Sequence, residues 1–161
     1  MEQELIRLTG GISPTNTILV DTPFLIYHFE DILPYSDVTS KILDLAGGRS
    51  SKVFLSVISY TEVLVGVLNK KNKILEKTYK DFIINNPCIE ILDYNYEIAG
   101  LAASIRSENG LGLADSVVIA TAIKANVKVL ITNDKDFQKI KNKNLKIILL
   151  DKLINTDKHD I

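Results

Sequence analysis

Ile18-Leu19-Val20-Asp21-Thr22-Pro23-Phe24-Leu25-Ile26-Tyr27 is the stretch that decides the fold. Its first three residues are apolar without polar alternation, which is typical of a strand buried on both faces of a parallel sheet. Thr22 is predicted to cap a helix that begins at Pro23, because proline lacks only an N–H that has no partner there. Asp21 therefore lies at a strand-to-helix corner, where open α/β sheets bind ligands. The alternative is that Asp21 serves only as a helix cap.

The composition indicates a globular protein of one domain. The chain has 161 residues, of which 46% are hydrophobic and 24% charged, enough for a sizeable core. No apolar run is long enough to span a bilayer, and the first four residues are acidic where a signal peptide is basic. We therefore predict a cytoplasmic protein without membrane association. The lone cysteine, Cys88, is predicted to be a small buried hydrophobe.

The charge is unevenly distributed, although the formal net charge is only −1. Seven lysines fall late in the chain, at Lys124, Lys128, Lys135, Lys139, Lys141, Lys143 and Lys146. A basic face beside an acidic pocket would suit a polyanion. Lysines in loops and short helices are ordinarily just solvated, and the sequence alone favours this second interpretation.

Apolar strand-like runs alternate with segments of helical period along the chain. The five predicted strands cover residues 18–20, 53–56, 88–92, 129–132 and 146–150. This alternation predicts an α/β fold, with a parallel sheet covered by helices on both faces. Residues 18–155 are predicted to form a single domain, residues 1–17 an N-terminal extension, and residues 156–161 a polar tail.

Four acidic residues occupy comparable positions at strand ends and helix starts. Asp21 follows the first strand, and Glu62 enters the helix after the second. Asp115 opens a helix that is apolar on most sides, and Asp134 follows the fourth strand. Four carboxylates in one crevice would repel each other unless a cation joins them. Oxygen ligands without His or Cys favour Mg²⁺, with Mn²⁺ as the alternative.

A bound divalent cation of this kind would allow metal-dependent nuclease chemistry. We assign Asp21, Glu62 and Asp115 as inner ligands. Asp134 is assigned to a weaker or second ion, or to metal-bound water. Thr132, at a strand end, is predicted to bond to and orient a neighbouring acid. Asp136 ranks behind Asp134, because Asp136 starts the next short helix.

The remaining polar residues near these motifs are predicted to have structural roles and no catalytic ones. Ser59, Thr61 and Ser116 are as well placed for helix capping as for catalysis, and capping is preferred. The two histidines, His28 and His159, lie at a helix end and in the polar tail. Because they have no companion ligands, we expect both to be surface residues.

Taken in order, these motifs resemble those of PIN-domain ribonucleases, above all the small VapC-type toxins. The motifs are Val20-Asp21-Thr22-Pro23-Phe24-Leu25-Ile26-Tyr27, Ser59-Tyr60-Thr61-Glu62, Leu113-Ala114-Asp115-Ser116-Val117-Val118-Ile119-Ala120-Thr121-Ala122 and Ile131-Thr132-Asn133-Asp134-Lys135-Asp136-Phe137. The resemblance covers residues 18–150. It implies a five-stranded parallel sheet, an Mg²⁺- or Mn²⁺-dependent endoribonuclease acting on RNA, a homodimer, and an antitoxin partner. It places the family's four acids on Asp21, Glu62, Asp115 and Asp134.

The chain departs from this family pattern at two places. Pro23 stands where the family usually has a small polar residue, so a contact made by that side chain is absent here. The segment before Ile18 is longer than such toxins usually carry. Neither departure removes an acid.

Two other functions are alternatives to the nuclease. The first is a PIN-like module without catalysis that binds RNA or protein and needs no metal. The second is a phosphotransfer domain with Asp21 as phosphoryl acceptor. Those domains usually place a second Asp two residues later, where this chain has Pro23, and the phosphotransfer hypothesis therefore ranks last.

Overall fold

A computed structural model describes residues 18–48 and 52–154. The predicted extension 1–17, the tail 156–161 and His159 lie outside the described residues. The described part contains five strands: β1 (Ile18–Val20), β2 (Val53–Ser56), β3 (Ile89–Leu92), β4 (Val129–Thr132) and β5 (Lys146–Leu149). All five predicted strands are therefore present, with bounds that differ by one residue at β3 and β5.

Seven α-helices connect and cover these strands. They are α1 (Thr22–Phe29), α2 (Tyr35–Gly48), α3 (Val57–Asn69), α4 (Lys73–Asn85), α5 (Tyr96–Asn109), α6 (Leu113–Lys124) and α7 (Leu150–Ile154). A 3₁₀ helix follows β4 at Lys135–Lys139. Helix α5 ends at Gly110, whose φ of 67° is the left-handed conformation that glycine adopts without strain.

The sheet is parallel throughout, in the order β3-β2-β1-β4-β5. The predicted α/β fold is thus confirmed. β1 is the central strand, and all three of its residues are buried, which explains why its sequence shows no polar alternation. The chain order reverses between β1 and β4, so these two strands form the topological switch point.

Two apolar cores cover the two faces of the sheet. Ile18 and Val20 face one core, which helices α1 to α4 and α7 complete. Leu19, between them in sequence, faces the other core, which is formed mainly by α5 and α6. This is the alternation of a strand whose successive side chains point to opposite faces. The seven consecutive buried residues Ser116–Ala122 of α6 fit the prediction of a buried helix.

Several local predictions need correction. The N-cap of α1 is Asp21 rather than Thr22, because the Asp21 carboxylate accepts a hydrogen bond from the Thr22 amide. The prediction that His28 is a surface residue is wrong: its ring is half-buried and packs against Phe29 and Phe82. Burial lowers the pKa of His28. Cys88 is half-buried and packs at the margin of the first core.

No helix in the described parts of the chain combines the length and the apolar character needed to cross a bilayer.

Candidate active site

The candidate site lies at the switch point, at the carboxyl ends of β1 and β4. Asp21 follows β1, and Thr132 is the last residue of β4. The Thr132 hydroxyl donates a 2.8 Å hydrogen bond to Asp21 Oδ2, which is the contact predicted for this threonine. The Asp21 amide also donates to the Ile131 carbonyl at 3.0 Å. The backbone and the side chain of Asp21 are therefore both fixed to β4.

Asp21 is a buried carboxylate with several donors around it, 6% exposed. Its Oδ1 atom accepts from the Thr22 amide at 2.7 Å and from the Ser59 hydroxyl at 3.4 Å. Burial raises the pKa of Asp21 to about 6, while the bonds from Thr132 and Thr22 act in the opposite direction. The negative charges of Glu62 and Asp115 raise this pKa as well. Asp21 therefore lies within electrostatic reach of two other predicted ligands.

Glu62 approaches the same edge from helix α3. It lies three residues after Ser59, and residues at this spacing share a helix face. Both side chains consequently point toward the end of β1. The Thr22 hydroxyl donates to Glu62 Oε2 at 2.5 Å. Unlike Asp21, Glu62 is exposed to solvent.

Asp115 is the third residue of helix α6 and is half-buried. The backbone N–H of Gly112, the N-cap residue, donates to its carboxylate, which resembles the way an N3 acid folds back in a capping box. A Cβ atom at Gly112 would lie only 2.8 Å from Asp115 Oδ2. The carboxylate can take this position because residue 112 has no side chain.

The electrostatic surroundings of Asp115 place it near the other acids. Burial is the main factor that raises the pKa of Asp115, followed by the charges of Asp134, Glu62 and Asp136. The hydrogen bond from Gly112 lowers this pKa. Asp21 and Asp115, which are distant in sequence, are therefore within electrostatic reach of each other and of Glu62.

Asp134 is positioned by the turn after β4. Its amide donates to the Thr132 hydroxyl at 3.0 Å, and its Oδ1 accepts from the Asp136 amide at 2.8 Å. Asp134 thereby caps the 3₁₀ helix. Asp136 is exposed and forms a 2.9 Å ion pair with Lys139. Thr132 contacts both Asp21 and the Asp134 backbone, so one hydroxyl links the two acids.

Asn133 connects this turn to helices α1 and α7 through its side chain. Its Nδ2 donates to Asp151 Oδ1 of helix α7 at 3.2 Å and to the Tyr27 hydroxyl at 3.5 Å. The Tyr35 hydroxyl also donates to Asp151 Oδ1, at 2.7 Å. The Tyr27 and Tyr35 rings stack with centroids 4.3 Å apart. The turn that carries Asp134 is therefore supported by contacts with α1, α2 and α7.

The preferred capping role of Ser59, Thr61 and Ser116 is wrong. Helix α3 begins two residues before Ser59, with Ser56 as its N-cap, and Ser59 instead contacts Asp21. Thr61 and Ser116 each donate to the carbonyl four residues earlier. Sequence reasoning also missed Gly112 and the Thr22–Glu62 bond. The spacing of Gly112, three residues before the candidate acid Asp115, is a sequence signal that could have identified this glycine.

The donor chemistry of this edge fits a hard divalent cation, since every candidate ligand is a carboxylate. Among the described residues that shift the pKa of Asp21, none is basic. Within residues 18–48 and 52–154, however, no group of three or more His, Cys, Asp or Glu residues is close enough to hold one ion. Mg²⁺ usually needs only one or two carboxylates besides water and substrate phosphates.

The chain belongs to the PIN domain family, whose model matches residues 18–143. The PIN domain family consists generally of nucleases. No match was found among curated proteins.

Solved structures share the fold. One is VapBC2 from Rickettsia felis, bound to a DNA fragment from its promoter. It is 21% identical with a TM-score of 0.64, and the match covers 82% of this chain and 97% of that one. A second is a toxin–antitoxin complex from Klebsiella pneumoniae, 24% identical with a TM-score of 0.61, covering 81% and 96%. A third is DNA-bound VapBC from Salmonella typhimurium, 17% identical with a TM-score of 0.61, covering 84% and 98%.

Proposed function

We propose that the chain is a VapC-like endoribonuclease that hydrolyses RNA phosphodiester bonds with Mg²⁺ or Mn²⁺. The observation that carries this proposal is the buried Asp21 carboxylate at the switch point, bonded to Thr132 and electrostatically coupled to Glu62 and Asp115. Membership of the PIN domain family supports the nuclease assignment. The four predicted ligands remain Asp21, Glu62, Asp115 and Asp134, with Thr132 and Asp136 in support.

The protein groups would divide the work between holding an ion and orienting its ligands. Asp21 and Asp115 would hold the cation, and Glu62 and Asp134 would bind it or its water molecules. When bound, such a cation activates a water and neutralises charge on the phosphate. Thr132, Ser59 and the Gly112 amide keep the carboxylate oxygens in fixed directions, which spares reorganisation during the reaction.

The test is cleavage of an end-labelled single-stranded RNA with Mg²⁺, with Mn²⁺, or with EDTA. We expect Asp21→Asn and Asp115→Asn each to reduce cleavage by at least about 100-fold, since a lost metal ligand removes several kcal/mol of stabilisation. Asp81→Asn is the matched control: it removes the same charge from helix α4, where Asp81 is exposed and paired with Lys77. Equal cleavage by all four proteins, or cleavage that persists in EDTA, would refute the proposal.

The alternative is a PIN module that binds RNA or protein without catalysis. One observation favours this alternative: within the described residues, no group of three or more His, Cys, Asp or Glu side chains is close enough to hold a metal ion. This alternative predicts that wild type does not cleave and that Asp21→Asn retains full RNA affinity without metal. Both outcomes are read from the same set of proteins.

We further propose an antitoxin partner and a homodimer. The structural neighbours named VapBC and the toxin–antitoxin complex support the first. Large apolar side chains exposed on α3 and α4, Val65, Leu68, Ile74 and Ile84, are available for protein contacts. Co-expression with the product of an adjacent short reading frame should yield a stable complex that no longer cleaves RNA. Sedimentation of the chain alone as a monomer at micromolar concentration would contradict the homodimer.

A further inference from the structure

A groove of 520 Å³ lies along the β5 edge of the sheet, lined by residues between Gln138 and Ile147. β5 is the outermost strand on this side. Three lysines line the groove, Lys141 and Lys143 in the loop before β5 and Lys146 as its first residue. All three are exposed. Sequence alone favoured the view that such lysines are merely solvated, but the structure collects these three in one concave surface.

The three groove lysines differ in ion pairing from the lysines of helix α4. None of them forms an ion pair with any residue of the described ranges. Lys139, just outside the groove, pairs with Asp136. On helix α4, Lys73 and Lys80 pair with Glu76 and Lys77 with Asp81. The groove thus presents three ammonium groups whose charge the fold leaves uncompensated.

The groove is lined by the chain segment that follows the acidic edge in sequence. The chain passes from Asp134 through the 3₁₀ helix Lys135–Lys139 directly into the groove segment. Lys146 pairs in register with Val129, so it lies at the amino end of the strands, opposite the acids. A strand of four residues spans about 10 Å. The groove and the acidic edge are therefore separated by about the length of one strand, a distance that a few nucleotides cover.

We propose that this groove binds the sugar–phosphate backbone of the RNA strand on one side of the scissile bond. The proposal rests on the function proposed above and specifies where its substrate lies. Lysine and amide side chains are common donors to phosphate oxygens, and the groove offers Gln138 and Asn142 beside its lysines. A protein partner fits less well, because lysine is depleted in protein–protein interfaces.

The test measures RNA affinity against salt concentration. Lys141→Gln, Lys143→Gln and Lys146→Gln are combined in an Asp115→Asn background, which is used in every arm to suppress cleavage. The control combines Lys73→Gln, Lys77→Gln and Lys80→Gln, which remove the same charge from helix α4. Binding of a fluorescein-labelled single-stranded RNA is followed by anisotropy between 50 and 200 mM KCl.

We expect the groove variant to bind at least about tenfold more weakly than the Asp115→Asn parent at 50 mM KCl. Three lost phosphate contacts should also reduce the slope of log K against log salt by about 2. The control variant should stay within about twofold of the parent. Circular dichroism melting of both variants checks that the fold is kept.

The outcomes separate the groove from the nuclease assignment. If the wild-type chain cleaves RNA and the groove variant binds like the control, the groove proposal is refuted and the nuclease remains. A parent protein without measurable RNA affinity would refute the groove as well. A groove variant that keeps its RNA affinity but loses a co-purifying protein would identify a protein-binding surface, and this result also overturns the proposal.

Discussion

The two halves of the acidic edge differ in how their carboxylates are held. The inner half is Asp21, which is buried and receives hydrogen bonds from Thr22, Ser59 and Thr132. The outer half consists of Glu62, Asp115 and Asp134, which are exposed or half-buried. Burial is the largest factor that raises the pKa of Asp21, and it is also the largest for Asp115. The two halves differ instead in hydrogen bonding, because each outer carboxylate has fewer donors.

This difference indicates which carboxylates have a fixed orientation and which can change theirs. An inner carboxylate between two central strands cannot rotate without breaking several hydrogen bonds. The outer carboxylates accept few hydrogen bonds, such as the one that the backbone N–H of Gly112 donates to Asp115. We infer that the inner acid defines the position of the site, while the outer acids adjust around substrate and ion.

The largest expected effect concerns the stability of the metal-free protein. Because burial raises the pKa of Asp21 from the ordinary 3.8 to about 6 in the folded state, the folded state binds more protons than the unfolded state between these pH values. The stability due to the protonated acid is complete below pH 3.8 and is lost as the pH rises through 6. Asp21→Asn removes this penalty and should stabilise the protein by about 3 kcal/mol at pH 7.5.

Urea unfolding in EDTA measures this gain, which should fall to about half at pH 5. Glu62→Gln is the outer-half control, and its stability change should be small at both pH values because an exposed carboxylate pays little for desolvation. If Asp21→Asn is no more stable than wild type at pH 7.5, the inner acid is not destabilised by burial.

The second prediction compares two threonines that each donate to an acid. Thr132→Val removes the bond to Asp21 and leaves the Asp134 amide without its acceptor. Cleavage should fall about 10- to 150-fold at pH 7, since hydrogen bonds to charged groups contribute about 1.5–3 kcal/mol. The pKa of Asp21 should rise further, so the acidic limb of the pH–rate profile should move to higher pH.

Thr22→Val makes the same change beside the exposed Glu62. It should reduce cleavage no more than about threefold, because exposed contacts contribute less. Equal losses in the two variants would show that the inner and outer halves do not differ in this respect.

The third prediction concerns Gly112. An alanine fits the backbone there, with φ at −58°, but its Cβ would meet Asp115 Oδ2 at 2.8 Å and force the carboxylate to turn. Cleavage should fall about fivefold, which corresponds to about 1 kcal/mol. Gly100→Ala is the control, since nothing lies within 4 Å of a Cβ there. Identical kcat/KM values for the two variants would contradict a positioning role for Gly112.

Local patterns in the sequence predicted most of the fold. The strands were found because runs such as Val129–Thr132 are buried on both faces and so remain apolar throughout. The order of the strands was not predicted, because it depends on which strands pair and no short-range pattern records this. Helix starts were misplaced at Thr22 and near Ser59, where several polar residues could each have served as cap.

The candidate site was predictable in part for the same reason. Acids that directly follow strands, such as Asp21, lie at the carboxyl edge of a parallel sheet whatever the order of its strands. Their position at this edge can therefore be deduced from the sequence. Ser59 could not be recognised as a donor to Asp21, since the two are 38 positions apart and meet only after folding. The open space at Gly112 likewise depends on the side-chain conformation of Asp115.

The hydrogen bonds of Asn133 connect helix α7 to the turn after β4. Its side chain exchanges hydrogen bonds with Asp151 in both directions, through Nδ2 and through Oδ1. Shortening the protein at residue 149 would therefore leave the loop that carries Asp134 without its anchor. A deletion far along the sequence would therefore disturb the candidate site, and a shortened form of the chain should retain α7.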